Sequence, residues 1–291
     1  MTQQETLLCV ENLSVWFPAR RGVTGILTRE EQWVRAVDSV SFSVRKGEVM
    51  CLAGESGSGK TTTARAILAL TAAKLGTVRF AGRDVLSLSK TELRKLRCEM
   101  QIIFQDPYES IDPRMSISEI LAEPLEVNKV TRSRKEREAK VYKALEDVRL
   151  LPPQEFARRF PHELSGGQRQ RVAIARGLVL QPKLLVADEP VSMLDASIRV
   201  QILNLLLDLR KEYDLTFLYI THDLAQARYV GNDIVIMYLG KVMESGPVEN
   251  VVAKPVHPYT KALVSNVPVP DPTLKRDKIT VKGETPSALD I

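Results

Sequence analysis

Gly54-Glu55-Ser56-Gly57-Ser58-Gly59-Lys60-Thr61 has the spacing G-x-x-x-x-G-K-[ST] of a phosphate-binding loop. Glycines let the backbone curl so that successive N–H groups converge on phosphate oxygens. The flanks supply the context that the pattern requires. Residues 48–53 form an apolar, strand-like run, and the period becomes helical over residues 61–70. A helix starting near Lys60 points the positive end of its dipole at the same anion. In this reading Lys60 bridges the β- and γ-phosphates of ATP and the Thr61 hydroxyl ligates Mg²⁺, with Thr62 beside them. A Gly-rich turn that binds nothing is the bland alternative; the strand before and the helix after weigh against it.

Toward the N-terminus, residues 7–17 alternate as a strand, and a loop rich in Arg and Gly follows from 18 to about 32. Residues 36–44 read as a second strand, separated from the run 48–53 by a Lys46-Gly47 turn. Further on, apolar runs recur at 100–104, 184–187, 216–220 and 233–237, a length that suits strands buried on both faces of a mostly parallel sheet. Helical patterns over 197–212 and 224–229 lie between them, which is the βαβ alternation of an α/β fold. Strand signals vanish between 106 and 180, so residues 107–177 read as a helical insertion into the α/β core. The main domain then covers residues 1–255, and a tail over 256–291, rich in proline, reads as loosely packed.

A chain of 291 residues that is 44% hydrophobic has enough apolar surface for a substantial core. No apolar run approaches the ~20 residues that span a bilayer. The polar N-terminus lacks the layout of a signal peptide, so the chain is expected in the cytoplasm. Cys9, Cys51 and Cys98 are scattered without metal-ligand spacing and read as reduced core thiols. The net charge of +5 does not argue for nucleic acid, and the basic stretch 132–140 also holds Glu136 and Glu138, as a solvated helix face does.

Asp188 and Glu189 close the apolar run 184–187. A carboxylate there can hold Mg²⁺ through water, and its neighbour can polarise the attacking water. Gly54, Gln105, Asp188 and His222 each follow or end one of four strand-like runs, and ligands in parallel α/β sheets bind outside the carboxyl ends of strands. If those runs are neighbours in one sheet, the four residues converge. Gln105 is then a candidate sensor of water and Mg²⁺, and His222 a candidate γ-phosphate contact. Taken alone, Asp188-Glu189 is a solvated strand end and His222 a structural or surface histidine. Leu164-Ser165-Gly166-Gly167-Gln168 opens a further helical run and offers a second anion site at a helix N-terminus. Its bland reading is an ordinary N-cap at Ser165, against which stands the poor helix propensity of two glycines.

The ordered set of phosphate loop, Gln105, Leu164 to Gln168, Asp188-Glu189, Ser192-Met193-Leu194-Asp195 and His222 resembles the ABC ATPase family, over residues 7 to about 270. The resemblance implies an α/β fold: a P-loop NTPase (RecA-like) core with an N-terminal antiparallel β subdomain and an inserted α-helical subdomain. It implies a head-to-tail dimer in which Ser165, Gly166, Gly167 and Gln168 touch the γ-phosphate of ATP held by a second subunit. Glu189 corresponds to the general base, and Asp195 to the loop linking the two sites. The adenine-stacking aromatic is Phe17, with Trp16 the alternative.

A finer resemblance is to the ATPases of oligopeptide/dipeptide-type importers. Three stretches carry it: Ala36-Val37-Asp38-Ser39-Val40-Ser41-Phe42, the run from Phe104-Gln105-Asp106-Pro107-Tyr108 to Ile111-Asp112-Pro113-Arg114, and His257-Pro258-Tyr259-Thr260-Lys261-Ala262-Leu263. It implies ATP and Mg²⁺ as cofactors and a place on the cytoplasmic face of the membrane. The implied partners are a second ABC ATPase subunit, favoured as a related chain, and permease subunits to which the segment after Gln105, through about Leu125, passes the motion. An extracytoplasmic binding protein acts indirectly, and no nucleic acid is expected. Met193 stands where alanine is usual and Asp112 where asparagine is usual, and no cysteine follows Cys98 to build the iron–sulfur site of some relatives. Peptide is the leading cargo, with nickel and oligosaccharide the alternatives. The rival classes are a soluble ABC-type ATPase acting on DNA or ribosomes and a regulatory protein that binds ATP without turnover.

Overall fold

The computed structural model describes residues 5–18, 33–107 and 111–266. The Arg/Gly-rich loop beyond Pro18, Tyr108 and the tail after Asn266 lie outside the described residues. The chain divides into two compact units, one of Met1–Arg45, Val49–Ser87 and Ile220–Ile291, the other of Lys46–Glu48 and Leu88–Tyr219.

In the first unit, β1 (Thr6–Pro18) pairs antiparallel with β2 (Trp33–Arg45), with Leu8 opposite Val44 and Val10 opposite Phe42. β3 (Val49–Ala53) leads through the phosphate loop into α1 (Lys60–Ile67). β4 (Leu75–Phe80) and β5 (Arg83–Asp84) complete a four-stranded antiparallel sheet in the order β2-β1-β4-β5. Its alternating residues Leu8, Leu13, Val15, Val40 and Phe80 are wholly buried. All five residues of β3 are buried, as a strand covered on both faces requires. β3 pairs in parallel with β9 (Asp233–Tyr238), and β9 pairs antiparallel with β10 (Lys241–Pro247). Three further helices belong here: α8 (Leu224–Val230), α9 (Val248–Ala253) and α10 (Pro258–Ser265). On α10, Tyr259, Thr260 and Ala262 are buried, so the described part of the tail is packed, not loose as its prolines suggest. Pro258 occupies the first helical position, where its missing N–H costs nothing.

In the second unit, α2 (Lys90–Glu99) runs directly into β6 (Met100–Ile103), which pairs in parallel with β7 (Leu184–Asp188). β8 (Thr216–Thr221), which begins in this unit, lies next to β7, and both strands are buried along their whole length. Between β6 and β7 every regular element among the described residues is helical. These are α3 (Ile117–Val127), α4 (Arg134–Asp147), α5 (Pro153–Arg158) and α6 (Gly166–Leu178), with a 3₁₀ turn at Pro161–Glu163. α7 (Ala196–Tyr213) follows β7 and ends where Asp214 turns left-handed, at φ 50°.

The starts of α2 and α3 are set by capping boxes, in which Ser89 or Ser116 accepts the amide of Glu92 or Glu119 and each glutamate accepts the serine amide. The basic stretch opens α4 and is mostly exposed, with Val141, Ala144 and Leu145 forming the buried face. All three cysteines are free, but only Cys51 is a core thiol, and burial pushes its pKa far above the ordinary value. Cys9 and Cys98 are half-buried, which corrects the reading of all three as core residues. Among the described residues no helix is long and apolar enough to cross a membrane.

Candidate functional site

The phosphate loop follows β3 without a break. Gly54 (φ +151°) and Gly59 (φ +98°) adopt backbone angles that L side chains rarely reach; a Cβ on Gly54 would lie 2.2 Å from the Met237 carbonyl oxygen, and one on Gly59 2.3 Å from that of Ala36. At Gly57 (φ +80°) a Cβ would meet nothing within 4 Å, so this glycine serves the curl of the backbone and leaves the loop open there. The Ser58 amide donates to the Glu55 carbonyl at 3.2 Å, and the Gly240 amide donates to the Ser58 carbonyl at 3.1 Å. Lys60 is buried, and its Nζ donates to the carbonyls of Gly54 (2.8 Å) and Glu55 (2.7 Å) and to Ser58 Oγ (3.3 Å). An ammonium drawn over a curled, glycine-bearing loop at the start of a helix fits a phosphate group. Thr63 Oγ1 donates back to the Gly59 carbonyl and fixes the first turn of α1, while Thr61 and Thr62 stay half-buried.

The same unit holds the two aromatics and the histidine. Trp16 pairs across the sheet with Arg35, whose guanidinium lies over its ring, 5.0 Å from the centroid. Phe17, next along β1, is 41% exposed. His222 directly follows β8 and is exposed. The backbone after it is firmly held: Thr221 Oγ1 accepts the Asp223 amide at 3.0 Å, and Asp223 Oδ1 accepts the Ala225 amide at 2.8 Å to cap α8.

The second unit holds the carboxylates. Asp188 ends β7 buried, at 3% exposure. Glu189 takes the left-handed conformation (φ 44°), which costs a non-glycine residue about 1–2 kcal/mol. Ser192 supports that turn, its amide and its hydroxyl both donating to the Glu189 carbonyl, at 3.2 and 3.0 Å. Gln105, two residues past β6, donates from Nε2 to Glu189 Oε2 at 3.3 Å, so the structure brings these two candidates together.

At Ser165 both sequence readings meet. Its hydroxyl accepts the Gln168 amide (3.3 Å) and Gln168 Oε1 accepts the Ser165 amide (3.0 Å), a complete capping box for α6. Acting as acceptor, the Ser165 hydroxyl keeps its proton to donate. Gly167 also has a packing reason, because a Cβ there would stand 2.7 Å from Ile198 Cγ2 on α7; Gly166 meets only Leu194 Cδ2, at 3.7 Å. Asp195 is exposed at the N-cap of α7 and makes no side-chain cap bond.

The ABC transporter family profile matches residues 37–192, more than half of the chain. This chain belongs to the ABC transporter family. A second profile, the C-terminal region of oligopeptide/dipeptide transporters, matches residues 243–291 and places the ATPase in the oligopeptide/dipeptide class. The chain is 44% identical over 279 residues to the oligopeptide transport ATP-binding protein OppF of Bacillus subtilis, covering 96% of this chain and 88% of that protein. It is 46% identical over 286 residues to the glutathione import ATP-binding protein GsiA of Pectobacterium atrosepticum, where 98% of this chain spans 45% of the relative's length. Among solved structures, a dimeric ATP-binding cassette in a post-hydrolysis state, bound to ADP and Pi, is 29% identical with a TM-score of 0.71, covering 83% of this chain and 99% of that one. The cbiO1 protein of Clostridium perfringens, part of the ABC transporter complex cbiONQ, gives 26% identity and a TM-score of 0.71 over 86% and 92% of the two chains. The fold is thus the RecA-like P-loop core with an N-terminal β subdomain and a helical subdomain.

Three features of the ATPase site escaped the sequence reading. The Ser165–Gln168 capping box was legible in the S-x-x-Q spacing. The Arg35 cover on Trp16 and the Tyr259 hydroxyl on the Glu55 amide join residues far apart in the chain, and no local pattern signals them.

Proposed function

We propose that this ATPase binds and hydrolyses Mg-ATP as one of two nucleotide-binding subunits that energise import of di- or oligopeptides across the cytoplasmic membrane. The observation that carries the reading is the phosphate loop curled under the buried Lys60 ammonium, in a chain whose relatives are ATP-binding transport proteins. The ATPase domain spans residues 1–255, with its helical subdomain at about 107–177, and residues 256–291 form the transporter-type tail. The amides of residues 54–61 hold the phosphates, Lys60 and Thr62 contact them, and Phe17 stacks on adenine. Glu189 takes a proton from the attacking water, with Gln105 orienting its carboxylate and His222 contacting the γ-phosphate. Thr61, Gln105 and Asp188 would hold Mg²⁺, which when bound would supply positive charge to the phosphates. Ser165, Gly166, Gly167 and Gln168 reach the ATP of the second ATPase subunit, a related chain, and Asp195 links the two sites.

The working assembly also includes permease subunits and, outside the membrane, a binding protein; this chain is peripheral on the cytoplasmic face. The profile match at residues 243–291 favours peptide over nickel or oligosaccharide as cargo. Glu189→Gln in the assembled complex tests the reading. ATP binding should persist while turnover falls by about a hundredfold or more, with ATP trapped between the subunits. Near-normal turnover sinks the assignment.

A further inference from the structure

We propose that the Tyr259 hydroxyl is a positioning group for the phosphate loop, making helix α10 a brace on the nucleotide site; this rests on reading residues 54–61 as that site. Tyr259 Oη accepts the backbone N–H of Glu55 at 3.2 Å. The other end of the same peptide unit, the Gly54 carbonyl, accepts from Lys60 Nζ at 2.8 Å. One peptide plane at the mouth of the loop is thus held at its oxygen by Lys60 and at its hydrogen by Tyr259. When a phosphate enters, Lys60 must leave that carbonyl for the phosphate oxygens. Tyr259 then keeps the plane from turning over, and the amides that follow stay aimed inward.

The brace is built to be stiff. Tyr259 is buried at 7% exposure, and its ring packs on Tyr238 with centroids 4.4 Å apart. Tyr238 ends β9 next to Met237, the residue whose carbonyl presses on Gly54, so one strand end both confines the loop and seats the tyrosine. Each residue of His257-Pro258-Tyr259 has a part. His257 Nδ1 accepts the Tyr259 amide at 3.1 Å and caps α10, Pro258 takes the first helical position, and Tyr259 reaches the loop. Glu244 on β10 accepts the amides of Val256 (2.9 Å) and His257 (3.0 Å) and fixes the entry to the helix. Burial pushes the Tyr259 phenol up to about 12, so it remains a neutral hydroxyl.

Tyr259→Phe removes the oxygen and keeps the ring. In the purified full-length chain, the Kd for ATP should rise about three- to tenfold, the worth of one hydrogen bond. In the assembled transporter KM for ATP should rise likewise while kcat at saturating ATP is unchanged. A residue that only stabilises the fold lowers Tm and leaves Kd alone, so an unchanged Kd overturns the brace. If wild type binds no ATP, or Lys60→Ala binds it equally well, the nucleotide reading falls instead. If the Phe variant fails to fold, hydrogen exchange at the Glu55 amide of the wild type decides. Protection like that of β3 supports the brace, and exchange at the rate of an open turn overturns it.

Discussion

Gln105 Nε2 lies 3.3 Å from Glu189 Oε2, a bond between a residue just past β6 and one just past β7. A carboxylate that must accept a proton from one water molecule gains from a fixed direction, and the amide donor of Gln105 fixes it. Gln105→Ala should therefore lower kcat by about ten- to a hundredfold and leave the Kd for ATP measured without Mg²⁺ within about twofold. Steady-state phosphate release alongside equilibrium ATP binding checks both halves. Equal losses in both would place Gln105 in binding instead.

The loop glycines should separate into two classes. Gly54→Ala and Gly59→Ala drive a methyl group into backbone oxygens 2.2 and 2.3 Å away, which side-chain motion cannot relieve. Each should cost about 3 kcal/mol or more of folding stability, the range of severe overpacking with added backbone strain. Gly57→Ala meets no neighbour and carries only the cost of its φ of +80°, about 1–2 kcal/mol. Urea unfolding midpoints of the three variants, measured without nucleotide, should fall into that order.

The parts of the fold that were legible are those whose signal is local. β3, β7 and β8 are buried throughout, mostly apolar, and lead into chemistry-bearing turns, so strand and site were readable together. β4 was not: of its six residues only Val78 and Phe80 are buried, and it is a strand because Phe80 pairs with Leu8 far back in the chain. β10 has no buried residue and is held by its pairing with β9. α2 buries only Leu96, too little for an amphipathic pattern, although the Ser89–Glu92 capping box marked its start. At the candidate site, the strand-end placement of Gly54, Asp188 and His222 came through. The left-handed turn at Glu189 and the Tyr259–Glu55 bond did not, because tertiary packing imposes both.

Asp112 has its own electrostatic reason to be an acid. Its carboxylate accepts from Arg114 Nε (3.0 Å), from the Arg114 guanidinium terminus (2.8 Å) and from the Arg114 amide (2.9 Å), and these bonds bring its pKa down to about 2. A depressed folded-state value means that any stability the pair adds is complete above the ordinary value of 3.8 and is lost as pH falls through about 2. Both groups face solvent, so the effect on global stability is small and the titration itself is the readout. In Arg114→Ala the Asp112 pKa should rise toward 3.8 without reaching it, since the backbone amide at residue 114 remains. An NMR titration of the Asp112 carboxyl in both proteins checks this.

Ser165 shares its cap geometry with Ser89 and Ser116, but the partner three residues on is Gln168 where the other two boxes have Glu92 and Glu119. An acid is the better partner for a helix start in isolation, because it complements the positive end of the dipole. A neutral amide closes the same box and leaves that positive end for an incoming anion. Gln168→Glu should thus preserve the cap and leave folding stability unchanged or slightly raised, by about 0.3–1 kcal/mol. The new carboxylate would nonetheless stand where the phosphate of the second subunit's ATP is proposed to lie. Like charges about 5 Å apart repel by about 3 kcal/mol at an effective dielectric near 20, so turnover in the assembled complex should fall by about a hundredfold. ATP binding to the isolated chain should not change, since its own phosphates are held by residues 54–61. Ser89→Ala provides the control: it breaks an equivalent box at a cost of about 1 kcal/mol and should leave turnover intact. Full turnover in Gln168→Glu would mean that α6 meets no phosphate and that Ser165 is a helix cap alone.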